Sequence, residues 1–252
     1  MKILLIILFS LATLAQTRII PFSTNPTTAG GAMPSIVYVD RIGDEVNDGD
    51  SLQFTHWASI ASGQLIIIIH NNEGTADQQW GTGGDTVRQV GWTYIGESTG
   101  TNIGANIGAY YKVATGSETG NFASYCLTSS ENAGWYIVLD NVDTSDPLNI
   151  MGTPIQTVAT SVIIPEVTTD AANCLVFGLW AFDGSDWGSI TFSNSGWALE
   201  DSTYARVNNA STDGCAYGLK EMVSAGLTGA LTVTTIGDDG CAGFQFAIKG
   251  TE

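Results

Sequence analysis

The chain repeats its own pattern of strands and turns. A 24-residue stretch that begins at Ser51 aligns without gaps with a second stretch that begins at Ser161, 110 residues further along. Four of the 24 positions are identical, and the apolar runs and turn residues coincide, so that LIIIIHNNEG falls on LVFGLWAFDG. Downstream, Gly91-Trp92 matches Gly196-Trp197, Ala109-Tyr110 matches Ala216-Tyr217 and Thr119-Gly120 matches Thr228-Gly229. The recurrence predicts two copies of one unit, and the alternative is that evenly spaced strands align by chance.

The local patterns favour strands over helices. No long stretch repeats apolar residues with the helical period, whereas LQFTHWAS and LTVTTIG alternate with period two. The run LIIII at 65–69 predicts a central strand covered on both faces, followed by a turn at HNNEG. A second turn is predicted at NDGDS. The segment GTPIQTVATSVIIPE is predicted to connect the two units. Pro165 indicates that its strand lies at the edge of a sheet. We therefore predict an all-β protein with two tandem duplicated, jelly-roll-like or immunoglobulin-like antiparallel β-sandwich units, at 35–150 and 151–252.

The N-terminal residues allow two interpretations. Residues 1–15 resemble a secretory signal peptide, which would make 16–34 a flexible lead-in and the protein extracellular. The apolar run is too short for a comfortable membrane span. Alternatively, Met33 is the true start and residues 1–32 are a gene-calling artefact.

The charge is strongly acidic, with 8 Lys+Arg against 25 Asp+Glu and a formal net charge of −17. Such a surface repels phosphate, so we expect no nucleic-acid partner and no electrostatic docking on anionic lipid. Cation binding remains open. The segment DEVNDGD offers Asp44, Asp48 and Asp50 as weak calcium ligands, although it lacks the EF-hand spacing and turn chemistry explains it equally well. We expect no other cofactor.

Catalytic patterns are poor, and we predict that the protein is not an enzyme. No nucleophile-elbow motif accompanies His70, which the alignment places opposite Trp180. Acids for glycosidic cleavage are present in loops, but the sequence gives no distance between their carboxyl groups. These acids are Asp140, Asp143, Asp146, Asp183 and Asp186.

The four cysteines are widely spaced and lack zinc-ligand patterns. They are Cys126, Cys174, Cys215 and Cys241. Export would make a disulfide within the second half reasonable, and buried free thiols are the alternative.

Aromatic residues near turns provide the candidate binding edge. Trp80 and Trp187 lie in the corresponding long loops of the two units, and flat rings at loop tips stack on sugar faces. Asp183 and Asp186 border the second loop. The duplicated Trp92 and Trp197 are expected in the core instead.

One segment resembles a known family. Gly91-Trp92-Thr93, a turn rich in Gly, Thr and Asn, then Tyr110-Tyr111-Lys112-Val113-Ala114 and Ser117-Glu118 look like β-sandwich proteins of tailed phages, often marine. The resemblance covers about 60 residues and implies a virion structural or tail-associated protein that assembles with itself or other virion proteins and touches the host surface. A signal peptide and the segment GGDTVRQV depart from the family pattern. The alternative is an exported carbohydrate-binding or adhesion module, or a subunit of an extracellular filament.

Overall fold

The described part of the chain consists of β-strands and short connections. The computed structural model describes residues 36–55, 60–73, 91–98, 104–119, 121–183, 191–192, 196–207 and 211–251. All of its sheets are antiparallel. The prediction of an all-β fold is confirmed.

The first sheet is built from the N-terminal half. Its five strands lie in the order β1-β5-β2-β4-β3. The strands are β1 (Val37–Thr55), β2 (Leu65–Glu73), β3 (Thr93–Ser98), β4 (Ala105–Val113) and β5 (Asn121–Asp140). The apolar run at 65–69 forms the centre of the sheet, between β4 and β5, and its residues are completely buried as predicted.

The second sheet is built from the C-terminal half and has the order β10-β14-β9-β12-β11, with β6 and β7 also paired to β14. Two further short strands pair with each other. The strands of this half are β6 (Leu148–Met151), β7 (Ile155–Ile164), β8 (Thr168–Thr169), β9 (Cys174–Asp183), β10 (Thr191–Phe192), β11 (Ala198–Val207), β12 (Ser211–Met222), β13 (Gly226–Leu227) and β14 (Leu231–Lys249).

The two halves have the same topology. If β7, β14, β9, β12 and β11 replace β1, β5, β2, β4 and β3, the order of the first sheet becomes the order in which these five strands pair in the second sheet, which also contains β6 and β10. The ladders also correspond, with offsets of 110 for β2 and β9, 108 for β4 and β12, and 109 for β5 and β14. For example, Ile69 pairs with Ala109 and Trp135, and Leu179 pairs with Tyr217 and Phe244. This equivalence supports the predicted duplication.

The recurring Gly-Trp dipeptide has one structural role in both halves. Gly91 and Gly196 have φ angles of 91° and 89°, a conformation that favours glycine. Each glycine lies under the aliphatic stem of a lysine, Lys112 or Lys220. The neighbouring Trp92 and Trp197 are partly buried and pack against apolar clusters, so they support the core from its edge and are not core members as predicted.

The two sheets pack face to face and share the main hydrophobic core. This core combines Leu65, Ile67, Ile69 and Trp135 of the first sheet with Phe177, Leu179, Tyr217 and Phe244 of the second. The rings of Trp135 and Tyr217 meet edge to face, with centroids 4.8 Å apart. The arrangement therefore differs from two independent sandwiches, because each half supplies one sheet of a common sandwich.

Each half also covers the outer face of its own sheet. In the first half, residues 51–55 and 121–125 form a two-stranded ribbon tip, and Leu52 and Phe54 pack on Ile66, Ile68 and Tyr136. In the second half, residues 161–164 and 231–234 form the corresponding ribbon tip over Trp180 and Phe182. Each sheet is thus buried on both faces where its ribbon tip covers it.

Several predicted turns and boundaries differ from the structure. β1 continues through Asp44, Asp48 and Asp50, with register irregularities on both sides of Gly49, because this segment pairs with β5. β2 likewise runs through Asn71 and Asn72 to Glu73. The predicted passage at 152–166 contains β7, which pairs with β14 and ends just before Pro165. The predicted boundary at 150/151 falls inside β6, which already belongs to the second sheet.

The described residues contain no helix able to cross a membrane.

Candidate functional site

The two central strands end at the same end of the sandwich. β2 ends at Glu73, whose ladder partner on β4 is Ala105, and β9 ends at Asp183. The carboxylate of Asp183 lies directly against Gly104, the residue before β4. We call this end the loop end, because the segments that bear Trp80 and Trp187 follow β2 and β9 from here.

Gly104 makes room for the Asp183 carboxylate. Its φ angle is 75°, and a side-chain carbon at this position would overlap the carboxylate of Asp183. The second sheet therefore presents an acidic group to the backbone of the first sheet at the loop end.

Asn71 is an unusual residue in the space between the sheets. It is 1% exposed, and neither its Oδ1 nor its Nδ2 has a hydrogen-bond partner. It shares a strand face with Ile67 and Ile69, which belong to the main core. An unpaired buried polar group costs about 1–3 kcal/mol, so this amide destabilises the fold unless something binds it.

The side chains around Asn71 are mostly small. Its ladder partners are Ala133 on β5 and Ile107 on β4. The corresponding level of the second sheet, one step inward from Asp183, holds Ala181 with its partners Cys215 and Ala242. One step deeper, the core is filled by large rings, including those of Trp135 and Tyr217. The level of Asn71 is thus the part of the main core with the smallest side chains.

His70 points to the opposite face of β2 and bridges the sheet to the first ribbon tip. Its Nδ1 lies 2.7 Å from the hydroxyl of Ser124 and its Nε2 lies 2.8 Å from Oδ1 of Asn132. The Nδ2 of Asn72 donates to the same Oδ1 at 3.0 Å, which makes that oxygen an acceptor. We therefore assign the hydrogen to Nε2 of His70, and the Ser124 hydroxyl donates to Nδ1.

The surroundings of His70 suit a neutral structural histidine. Burial lowers the pKa of His70 to about 3, although the hydrogen bond with Asn132 acts in the opposite direction. His70 and Asn132 are fully buried, and Ser124 is 6% exposed. In the second half, the equivalent positions hold Trp180, Val233 and Cys241, which form part of an apolar cluster. The Ser-His-Asn contact therefore links the ribbon tip to the sheet.

Four of the acids considered for glycosidic cleavage are described, and they lie at two opposite ends of the sandwich. Asp140 ends β5, and Asp143 and Asp146 lie near Lys249, which pairs with Cys174 at the start of β9. Asp183 is at the other end of this ten-residue strand, about 30 Å away. Carboxyl groups of a glycosidase lie at most about 10 Å apart, so Asp183 cannot pair with these acids. Among the described side chains, no group of three His, Cys, Asp or Glu could hold a metal ion.

The other predicted site residues have different outcomes. Trp80, Asp186 and Trp187 lie outside the described residues, as do the side chains of Asp44, Asp48 and Asp50. An extended strand at these three aspartates does not have the shape of a calcium loop. Cys174, Cys215 and Cys241 are buried and form no disulfide, so for these three residues the structure agrees with buried thiols and not with a disulfide.

Sequence reasoning missed Asn71. The alignment placed it opposite Ala181, two positions after the apolar run at 65–69 and its counterpart at 175–179. An asparagine on the core face of a central strand was the available signal, but it was assigned to a turn. Comparison of the chain with protein-family models, with curated proteins and with solved structures found no match.

Proposed function

We propose that the protein is a non-enzymatic structural component of a virion or surface appendage, of the tail, fibre or decoration type. The observation that supports this proposal is the shared core, in which both halves bury their central strands in a single body. Such a body suits shape-dependent packing in an assembly. Of the described groups that resemble catalytic residues, His70 is buried, and Asp183 is separated from Asp140, Asp143 and Asp146 by the length of the sandwich.

The test is the presence of the protein in purified particles. Virions or surface filaments are isolated from the source organism by density gradient, and their proteins are quantified by mass spectrometry. We expect a fixed stoichiometry with the major structural protein and labelling of the particle surface by specific antibodies. Absence from particles and filaments contradicts the proposal, and so does polysaccharide turnover that is lost in Asp183→Asn.

A second candidate is a secreted carbohydrate-binding or adhesion module. It is supported by the loop end, where the chain leaves both central strands towards Trp80 and Trp187. Binding to a glycan array that disappears in Trp80→Ala or Trp187→Ala favours this candidate. Unchanged binding in both variants counts against it.

A further inference from the structure

The connection between the two halves is short and is bound to the second half. It consists of residues 141–147, between β5 and β6, at the end of the sandwich opposite the loop end. Val142 forms a bridge with Gly250, and the backbone N–H of Asp143 donates to the carbonyl of Lys249. These partners are the end of β14 and the residue that follows it. The chain therefore passes from the first half to the second at Asn141, which we call the hinge.

The hinge has a backbone conformation that few residues adopt readily. The φ angle of Asn141 is 58°, in the left-handed region that favours glycine. The preceding residue, Asp140, is still part of the extended strand β5. An extended conformation at the hinge would continue β5 in its own direction and lead the chain away from the first sheet. The left-handed conformation of Asn141 thus brings both halves of one chain together.

The contacts between the halves do not depend on their connection. The sheets meet through side chains of the main core, including the rings of Trp135 and Tyr217, and through the hydrogen bond from the hydroxyl of Ser98 to the carbonyl of Ile155. The same contacts form whether the second sheet belongs to the same chain or to another copy, because only the hinge differs between the two arrangements. A second copy therefore offers each half a surface that already fits it.

We propose that two copies of this chain exchange their halves by domain swapping, so that the first sheet of each chain packs on the second sheet of the other. The exchange keeps the contacts of the main core and releases the left-handed conformation of Asn141 in both chains. If the exchange is not reciprocal and each chain passes its first half to the next, the same contacts produce an open row of copies. The inference goes beyond the proposed function, because it concerns the pure protein and not its presence in particles.

The charge of the chain determines the conditions for exchange. Two copies with a net charge of −17 each repel one another at low ionic strength, and salt screens this repulsion. The exchange also requires the two sheets to separate, so it takes place during folding. We therefore expect exchanged dimers to form when the chain folds at high protein concentration and high salt.

The experiment is refolding from denaturant at a low and a high chain concentration, in reducing buffer with about 0.3 M salt. Size-exclusion chromatography separates monomers from dimers. We expect dimers after refolding at the high concentration. Isolated dimers should persist after dilution in native buffer, because their dissociation opens the core, and they should return to monomers after unfolding and refolding at the low concentration.

Mixed isotope labelling shows which chain supplies each sheet. A ¹³C-labelled chain and an unlabelled chain are unfolded together and refolded at the high concentration, and the dimer is isolated. We expect isotope-filtered NMR to detect contacts between the ring of Trp135 in one chain and the ring of Tyr217 in the other, because the two centroids are 4.8 Å apart. In a dimer without exchange, these contacts occur only within a chain.

Substitutions at the hinge change the balance in opposite directions. Proline cannot adopt the φ angle of Asn141 and accepts an extended residue before it, whereas glycine adopts this angle without strain. We expect the ratio of dimer to monomer to be about tenfold higher in Asn141→Pro and about threefold lower in Asn141→Gly than in the wild type. Asn173→Gly is the matched control, because Asn173 has a φ angle of 53° but lies within the second half, and its ratio should equal that of the wild type.

The wild-type protein decides the inference, whether or not Asn141→Pro folds. Absence of dimers at the high concentration overturns it, and so do dimers that dissociate on dilution or that show contacts between Trp135 and Tyr217 only within a chain. Equal ratios in Asn141→Gly and the wild type would show that Asn141 is not the hinge. If the protein occurs in particles but does not exchange halves, the proposed function stands and the exchange fails. Exchange in the pure protein together with absence from particles gives the reverse.

Discussion

His70 illustrates how a buried base couples stability to pH. The pKa of His70 is lowered by burial from 6.5 to about 3 in the folded protein. Between these pH values the unfolded chain binds a proton that the folded protein does not bind. The contribution of the neutral His70 to the free energy of unfolding is therefore fully present above pH 6.5 and is lost as the pH falls towards 3.

We predict that a change from pH 7 to pH 5 lowers the free energy of unfolding by about 2 kcal/mol through His70 alone, because the unfolded chain takes up a proton at this residue. Urea denaturation at both pH values measures the loss. His70→Gln retains a polar side chain without the titration, so its loss over the same interval should be about 2 kcal/mol smaller. An identical pH dependence in the variant would show that His70 does not cause the loss of stability.

Glu118 closes the turn that follows β4. Its carboxylate accepts hydrogen bonds from the backbone N–H groups of Thr115 and Gly116 and forms an ion pair with Lys112. Burial raises the pKa of Glu118, but these bonds outweigh burial and lower the pKa to about 2. Its contribution to stability is present above pH 4.5 and is lost as the pH falls towards 2.

We predict that Glu118→Gln lowers the free energy of unfolding at pH 7 by about 2 kcal/mol, because a neutral amide cannot replace a carboxylate that accepts several hydrogen bonds. Urea denaturation provides the measurement. Glu166→Gln, on an exposed residue, is the matched control and should change stability by less than about 0.5 kcal/mol. Equal effects of the two substitutions would show that the turn does not depend on the charge.

At the scale of the strands, an equivalent pair of glycines lets neighbouring strands pack closely. A side-chain carbon at Gly134 in β5 would overlap the carbonyl oxygen of Ile69 in β2. At Gly243 in β14 it would lie 2.6 Å from the carbonyl oxygen of Leu179 in β9. The obstructing atoms are backbone atoms, so neither strand can adapt by a change of rotamer.

We therefore predict that Gly134→Ala and Gly243→Ala each destabilise the protein by about 2–3 kcal/mol. Thermal and chemical denaturation of the purified variants measure the effect. Ser161→Ala, an exposed position in β7, is the control and should be nearly neutral. A neutral Gly134→Ala would mean that β2 and β5 are further apart than the structure shows.

The strands were more predictable than the ends of the strands. Apolar runs located β2 and β9, and alternation located one strand of each ribbon tip, because burial of these residues is decided locally by their side chains. The Asn-Asn-Glu-Gly and Asn-Asp-Gly-Asp segments have strong turn preferences. Ladder partners on β4 and β5 nevertheless hold residues 71–73 in β2, and β5 holds residues 47–50 in β1; a preference read from one segment cannot include such partners.

At the scale of the molecule, the two halves depend on one core. Phe177 stacks on Phe246 within the second sheet, with centroids 4.8 Å apart, and both rings face the first sheet in the main core. The sequence predicted coverage of β2 on both faces. It did not show that one cover is the ribbon tip of the same half and the other is the opposite sheet, because burial alone does not identify the covering partner.

We predict that the two halves unfold in one cooperative transition. Differential scanning calorimetry should give a calorimetric enthalpy equal to the van't Hoff enthalpy. Phe177→Ala should lower the free energy of unfolding by about 3–5 kcal/mol and shift the whole transition, because it leaves a cavity in the shared core. Two separate transitions, or a shift of only one of them, would indicate independent sandwiches.

The shared core has a consequence for the newly made chain. Synthesis proceeds from the N-terminus, so the first sheet can form while most of the second is still absent. The side chains of Leu65, Ile67 and Trp135, on the inner face of this sheet, then stay exposed to water until about 110 more residues have been added. At typical rates of synthesis this takes about 5–20 s, during which nascent chains on one polysome can associate with each other. Yield in the cell should therefore depend on translation speed and on chaperones that protect the first sheet during this interval.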